Sequence, residues 1–195
     1  MPLALKIVLD FLTERDIAYP DNFVKILTPL GFKGIAKYYV EEMGVKLSPE
    51  EIYACFEKSL QKAYAEQISL KPNVKATLER LRARGDRLNV LTASPHAFTD
   101  ACLKNNGVYD LFENVWSSED FGVLKSNPKI YSMAAERLNA SVAECIMTDD
   151  NLYVLETAKA AGTQTIGVYD EYSADDKEKM QRIADEYVND FSEIA

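Results

Sequence analysis

Three short segments carry residue types that could act together on a phosphate. Thr92-Ala93-Ser94-Pro95 offers two hydroxyls and backbone N–H groups at a helix start, a natural cradle for phosphate oxygens. The simpler role for Ser94 is to cap that helix. Lys125, in Gly122-Val123-Leu124-Lys125-Ser126-Asn127-Pro128, stands just before a second Pro-started helix, where its ammonium could overhang the same crevice. Taken alone, a loop lysine is a solvated charge. Asp149-Asp150-Asn151 sets two adjacent carboxylates at the end of an apolar run. They repel each other unless a cation or hydrogen-bond donors compensate. Hard oxygen ligands suit Mg2+, which takes one or two protein carboxylates plus waters and substrate phosphate; the plainer account is a helix N-terminus that favours acids. Phosphate donors, a cation for developing charge and metal ligands are together what a Mg2+-dependent phosphoryl-transfer site needs.

For the three segments to converge, each must follow a strand of one parallel sheet, because ligands of such sheets bind beyond the carboxyl ends of the strands. The apolar period supports this. From residue 72 onward, short apolar runs alternate with amphipathic stretches: strands are predicted over 88–92, 114–117, 144–148, 165–169 and 187–188. Helices are predicted over 72–84, 95–104, 128–138, 152–161 and 174–185. Gly85 and Gly162 stand where helix C-caps belong. Strand and helix in alternation predict an α/β fold with a parallel, Rossmann-like sheet covered on both faces. Residues 1–70 have a helical period instead, and predict a helical cap ahead of an α/β core over 71–195. Leu5, Val8, Leu9 and Leu12 follow the i, i+3, i+4, i+7 stripe of a buried helix face. Asp21 can cap a helix over 22–30, and Gly31 and Gly34 bracket a turn before one over 35–43. Ser48-Pro49-Glu50-Glu51 forms a capping box that opens a helix to about residue 67, with Ile52, Cys55, Phe56 and Leu60 on one face.

Composition narrows the function. Of 195 residues, 22 are Lys or Arg and 31 Asp or Glu, a formal net charge of −9, and no basic cluster offers phosphate neutralisation to a nucleic acid or an anionic membrane. The longest apolar stretch, residues 3–12, is interrupted by Lys6 and Asp10 and is too short to span a bilayer. It has neither the basic region nor the cleavage pattern of a signal peptide. Three scattered cysteines indicate neither a disulfide framework nor a structural zinc site. A cytoplasmic protein with a small-molecule substrate is expected.

Leu91-Thr92-Ala93-Ser94, Lys125-Ser126-Asn127-Pro128 followed by Ile130-Tyr131, and Asp149-Asp150-Asn151 leading to Ala158-Lys159-Ala160-Ala161-Gly162 resemble motifs II, III and IV of the haloacid dehalogenase-like hydrolases. The resemblance is closest to the phosphatase and phosphomutase branch with a helical cap. It implies a Mg2+-dependent phosphatase of a small phosphorylated metabolite. On it, Thr92 and Lys125 are catalytic: Thr92, with Ala93 and Ser94, binds the phosphoryl group, and Lys125 neutralises an aspartyl-phosphate intermediate. Asp149 and Asp150 lie near Mg2+. The family's further acid four residues after Asp150 is Val154 here.

Motif I, Asp-x-Asp-Gly-Thr, which supplies the family's nucleophile and general acid/base, has no counterpart among the 195 residues. Residues 6–13 align with it only loosely, with Leu12 where the second Asp belongs. The better fit makes residues 3–16 the first cap helix, so that the chain begins downstream of its own nucleophile. In the family's sheet the first strand lies between the strands ending in Thr92 and Thr148. Its absence leaves two rows of backbone groups unpaired: either residues 3–10 fill the slot, a partner or second copy supplies a strand through the open sheet, or the core is loosened. Catalysis is then absent or impaired unless Asp10 takes the nucleophile's role. The alternative is a non-catalytic fragment or degenerate paralogue that binds phosphate or Mg2+ or associates with partners. A phospho-acceptor signalling domain ranks third, because such domains place their acidic pair after the first strand. His96, the single histidine, is expected to face solvent, and residues 175–179 to form a solvated helix face.

Overall fold

The computed structural model describes residues 2–20, 23–27 and 30–195. The chain divides into two compact units, Met1–Ile68 and Ser69–Ala195. The first is helical: α1 (Pro2–Thr13), α2 (Phe23–Leu27), α3 (Gly31–Glu41) and α4 (Pro49–Glu66). The apolar stripe of α1 turns Val8 and Leu12 inward, with Phe11 beside them. Tyr39 of α3 lies at the centre of this core, edge-on to Phe56 of α4 and stacked on Phe23 of α2. Its hydroxyl donates to the Val8 carbonyl oxygen at 2.7 Å, and burial pushes its pKa well above the ordinary value. α4 starts as the sequence predicts: Glu51 N–H donates to Ser48 Oγ and Ser48 N–H to Glu51 Oε2, with Pro49 in the first turn.

Residues 3–10 therefore do not form the core strand offered as one alternative. They are helix, and Asp10 lies in α1, paired with Lys6 one turn away. Two other local expectations change. Gly34 lies inside α3, which begins at Gly31 rather than after a turn. The helix expected over 174–185 is a 3-10 turn over Glu171–Asp176, started by Asp170 accepting from Tyr172 N–H, followed by the shorter Lys177–Ile183 helix. The Asp21 cap and parts of the 22–30 helix fall outside the described residues.

The second unit is α/β. Its elements are α5 (Val74–Arg84), β1 (Asn89–Thr92), α6 (His96–Asn105), β2 (Asn114–Ser117), α7 (Lys129–Arg137), β3 (Ile146–Asp149), α8 (Leu152–Ala161), β4 (Gln164–Val168), α9 (Lys177–Ile183) and β5 (Glu186–Val188). Every pairing is parallel. β1 pairs with β2, Thr92 opposite Ser117; β3 pairs with β4, Asp149 opposite Gly167, and β4 with β5. The strands form two sheets, β1-β2 and β3-β4-β5, and among the described residues no strand joins β1 to β3.

One core nevertheless serves both sheets. Ile130 and Tyr131 of α7, Ala158 of α8 and Phe121 are buried together, with Leu91 and Trp116 of the first sheet and Met147 of the second packed against them. On β3 Ile146 is 55% exposed, whereas Ile166 and Val168 of the central strand β4 are 7% and 2% exposed. α8 closes on Gly162, at φ 96°. Among the described residues, no helix is long and apolar enough to cross a membrane.

Candidate active site

The carboxyl ends of β1, β2 and β3 carry the candidate groups, and side-chain bonds connect those ends. Asp149, the last residue of β3, accepts Asn151 N–H on one oxygen at 2.9 Å. Its other oxygen accepts the Lys125 ammonium at 2.8 Å. Both side chains are nearly buried, 13% exposed for Lys125 and 15% for Asp149. Lys125 comes from the loop after β2, so this bond runs from one sheet to the other. Tyr131 of α7 holds the loop in place by donating its hydroxyl to the Lys125 carbonyl oxygen at 3.0 Å. Burial, with Asp149 nearby, pushes the Tyr131 phenol well above its ordinary pKa, so it stays a donor. The loop borders an open hollow of about 580 Å³ lined by Gly122, Leu124, Ser126 and their neighbours.

Asp150 has a different cation. Its Oδ2 accepts the ammonium of Lys71 at 2.9 Å, and the same ammonium reaches Asp170 Oδ2 at 2.7 Å, just past the end of β4. Burial works against the charge on Lys71, but its bonds to Asp170 and Asp150 outweigh burial and raise its pKa. Asp170 is held below the ordinary carboxylate range: burial opposes this, and the Lys71 bond prevails. The mutual repulsion expected of the twin aspartates is thus answered by two lysines, one for each. Lys71 escapes sequence reasoning because its partners lie 79 and 99 residues away and the residue itself looks like an ordinary loop lysine before Pro72.

At β1, Thr92 Oγ1 accepts Ser94 N–H at 3.1 Å and the Thr92 carbonyl oxygen accepts Ser118 Oγ–H at 3.1 Å. The tight turn through Ala93 moves the helix start one residue on: Pro95, not Ser94, is the N-cap of α6, and no side chain caps that helix. His96 does not simply face solvent, since both ring nitrogens lie against carboxylates. Val154, at the position of the further acid, donates its N–H to Asn151 Oδ1, which caps α8.

Among the described residues, no group of three or more His, Cys, Asp or Glu side chains gathers as a metal cluster. Asp149 and Asp150 each accept a lysine ammonium, whereas Mg2+ ordinarily takes one or two protein carboxylates with water and substrate oxygens.

A parallel α/β unit with hydroxyl, ammonium and paired carboxylates at its strand ends has the architecture of the Rossmann-like hydrolases. The family model for haloacid dehalogenase-like hydrolases matches residues 4–162, and the chain belongs to that family. It is 30% identical over 139 residues to YhcW of Bacillus subtilis (strain 168), a match spanning 71% of this chain and 62% of that protein. It is also 30% identical over 131 residues to the ribulose-1,5-bisphosphate 5-phosphatase of Halopiger xanaduensis, spanning 67% of this chain and 55% of that one. Both matches thus span less than two thirds of the relative. Among solved structures, CbbY from Rhodobacter sphaeroides, in complex with xylulose-1,5-bisphosphate, is similar at a TM-score of 0.77 and 20% identity, covering 100% of this chain and 89% of that one. A structure from Thermotoga maritima reaches 0.82 at 20% identity, covering 96% and 87%. At these identities the structures speak for the fold alone.

Proposed function

We propose that this chain is, by lineage, a Mg2+-dependent phosphatase of a small phosphorylated metabolite, and that these 195 residues alone lack the nucleophile the reaction needs. The observation that carries the reading is the Lys125–Asp149 bond, which brings the loop after β2 to the end of β3. Thr92, Ala93 and Ser94 would take the phosphoryl oxygens through hydroxyl and backbone N–H groups, the Ser94 N–H turning from Thr92 Oγ1 to the ligand, and Lys125, beside Asp149, would offset their charge. Asp149 and Asp150 would hold Mg2+, which, when bound, supplies positive charge beside the phosphate. Residues 1–70 would serve as the helical cap. The relative named as a ribulose-1,5-bisphosphate 5-phosphatase supports a phosphorylated small molecule as substrate.

The reaction requires a carboxylate to accept the phosphoryl group before water does, and the two carboxylates of the proposed set, Asp149 and Asp150, are the ones assigned to Mg2+. Asp10 is in mid-helix and paired with Lys6. Losing a nucleophile typically costs on the order of 10⁴- to 10⁶-fold in rate. Hydrolysis of a generic phosphomonoester with Mg2+ should therefore be near background for this chain and robust for a version extended upstream by an Asp-x-Asp-Gly-Thr strand. Equal, robust turnover by both would refute the reading.

The edges of β1 and β3 that no described strand pairs favour a second reading, in which the chain binds phosphate or Mg2+ without catalysis and associates through those edges with a partner or second copy. Solution mass rising with concentration would support it; a monomer at every concentration would count against it.

A further inference from the structure

α6 begins two residues after Ser94, and its first side chain joins the helix to the turn that follows β2. His96 Nδ1 lies 3.2 Å from Asp100 Oδ1, one turn along the same helix. His96 Nε2 lies 2.8 Å from Asp120 Oδ2, in the turn that follows β2. Asp120 Oδ2 also accepts Ser117 N–H at 2.9 Å, so one carboxylate binds both the imidazole and the end of β2. From α7, Arg137 donates to the Asp120 carbonyl oxygen at 2.8 Å and lies over the Phe121 ring. Lys125 comes five residues after Asp120.

We propose that His96 is a positioning residue: its imidazole latches the helix that follows the Thr92–Ser94 turn onto Asp120, at the root of the loop that carries Lys125. The latch itself stands on geometry alone; its consequence for anion binding rests on the function proposed above.

The latch depends on charge. Carboxylates only accept, and a neutral imidazole has one N–H to give, so both bonds are made at once only by the imidazolium. The groups facing it are Asp100 on its own helix and Asp120 in the turn, with Arg137 of α7 beyond Asp120 helping to keep that carboxylate ionised. The bonds to Asp120 and then Asp100 raise the His96 pKa above its ordinary 6.5. A histidine whose folded pKa is raised contributes fully below the unfolded value and loses its contribution as pH rises through the folded one. The latch is closed below the ordinary histidine value and loosens as pH rises through the raised folded one.

The test is amide hydrogen exchange of residues 117–124 between pH 5.5 and 8.5, corrected for intrinsic rates, in the wild type, His96→Asn and Asp120→Asn. Wild-type protection should fall roughly three- to tenfold across this range, the scale of one charge-assisted bond at a half-exposed site. Both variants should show the weaker, pH-independent protection throughout, with Trp116 fluorescence reporting an intact fold. Wild-type protection that matches the variants, or that ignores pH, would overturn the proposal. Sulfate, whose charge is constant over this range, probes the consequence by calorimetry. It should bind the wild type more tightly below the His96 midpoint and lose that dependence in Asp120→Asn. If the dependence survives in Asp120→Asn, the imidazolium acts by charge alone and the positioning role is refuted. Sulfate binding at no pH, beside the expected exchange pattern, would leave the latch standing and sink the anion reading of Thr92–Ser94.

Discussion

Replacing Lys125 with Met tests the cross-sheet bond while keeping most of the aliphatic stem. At 2.8 Å, two unit charges attract by roughly 6 kcal/mol at an effective dielectric of about 20. Much of that is offset by the cost of desolvating both ions. Truncating one member of a fully buried pair costs about 3–5 kcal/mol, and of an exposed pair about 0–1 kcal/mol. With both side chains some one-seventh exposed, the expected loss lies between these limits and closer to the buried one, about 2–3 kcal/mol, because Asp149 is left with its bond from Asn151 N–H. Trp116 is the single tryptophan and packs edge-on to Phe121 at 5.5 Å, inside the core the two sheets share. Its fluorescence in a urea titration therefore follows the α/β unit, and the midpoint should fall by about 1–1.5 M for a slope of about 2 kcal/mol/M. The double variant Lys125→Met/Asp149→Asn should recover about 1–2 kcal/mol of the summed single losses, because no charge is left unpaired. Single losses under about 0.5 kcal/mol that simply add would show that the bond does not tie the sheets together.

Two further outcomes follow from the paired carboxylates. Asp150→Asn should weaken Mg2+ binding in calorimetry while changing the urea midpoint little, since its bond to Lys71 is half-exposed and worth about 0–1 kcal/mol; unchanged Mg2+ affinity would remove Asp150 from the proposed metal site. Asp170 has a depressed pKa, held by Lys71 against burial. Its stabilisation is therefore present above the unfolded carboxylate value and lost as pH falls through the lower folded one. Urea midpoints measured from pH 6 to pH 3 should drop less steeply below about pH 4 in Asp170→Asn than in the wild type, and parallel curves would contradict the assignment.

The parts of this molecule legible in its sequence are those set by local physics. The stripe of Val8 and Leu12, the Ser48–Glu51 box and the cap at Gly162 each depend on residues within two turns of one another, and each forms as read. Gly34 and the segment after β4 misled for the same reason: neighbours decided against propensity. Gly34 is carried inside α3 although glycine is a poor helix former, and Asp170 turned the start of the last helix into a tighter coil by capping Tyr172. The rim shows the other limit. That hydroxyl, lysine and twin aspartates follow successive strands is visible along the chain, because strand ends can be located from apolar runs. Which cation meets which carboxylate is not visible, because Lys71 with Asp150, Lys125 with Asp149 and His96 with Asp120 are separated by 79, 24 and 24 residues. These pairs also bear on the gap in the sheet. Where strands are continuous, backbone ladders fix the spacing of their ends. Between β1-β2 and β3-β4-β5 no described ladder does so, and the Lys125–Asp149 bond and the core around Ile130 and Tyr131 make that connection instead. A side chain that sets the distance between two sheets cannot be changed without moving the groups at their ends, so in this chain the residues proposed for chemistry are also those that hold the rim together.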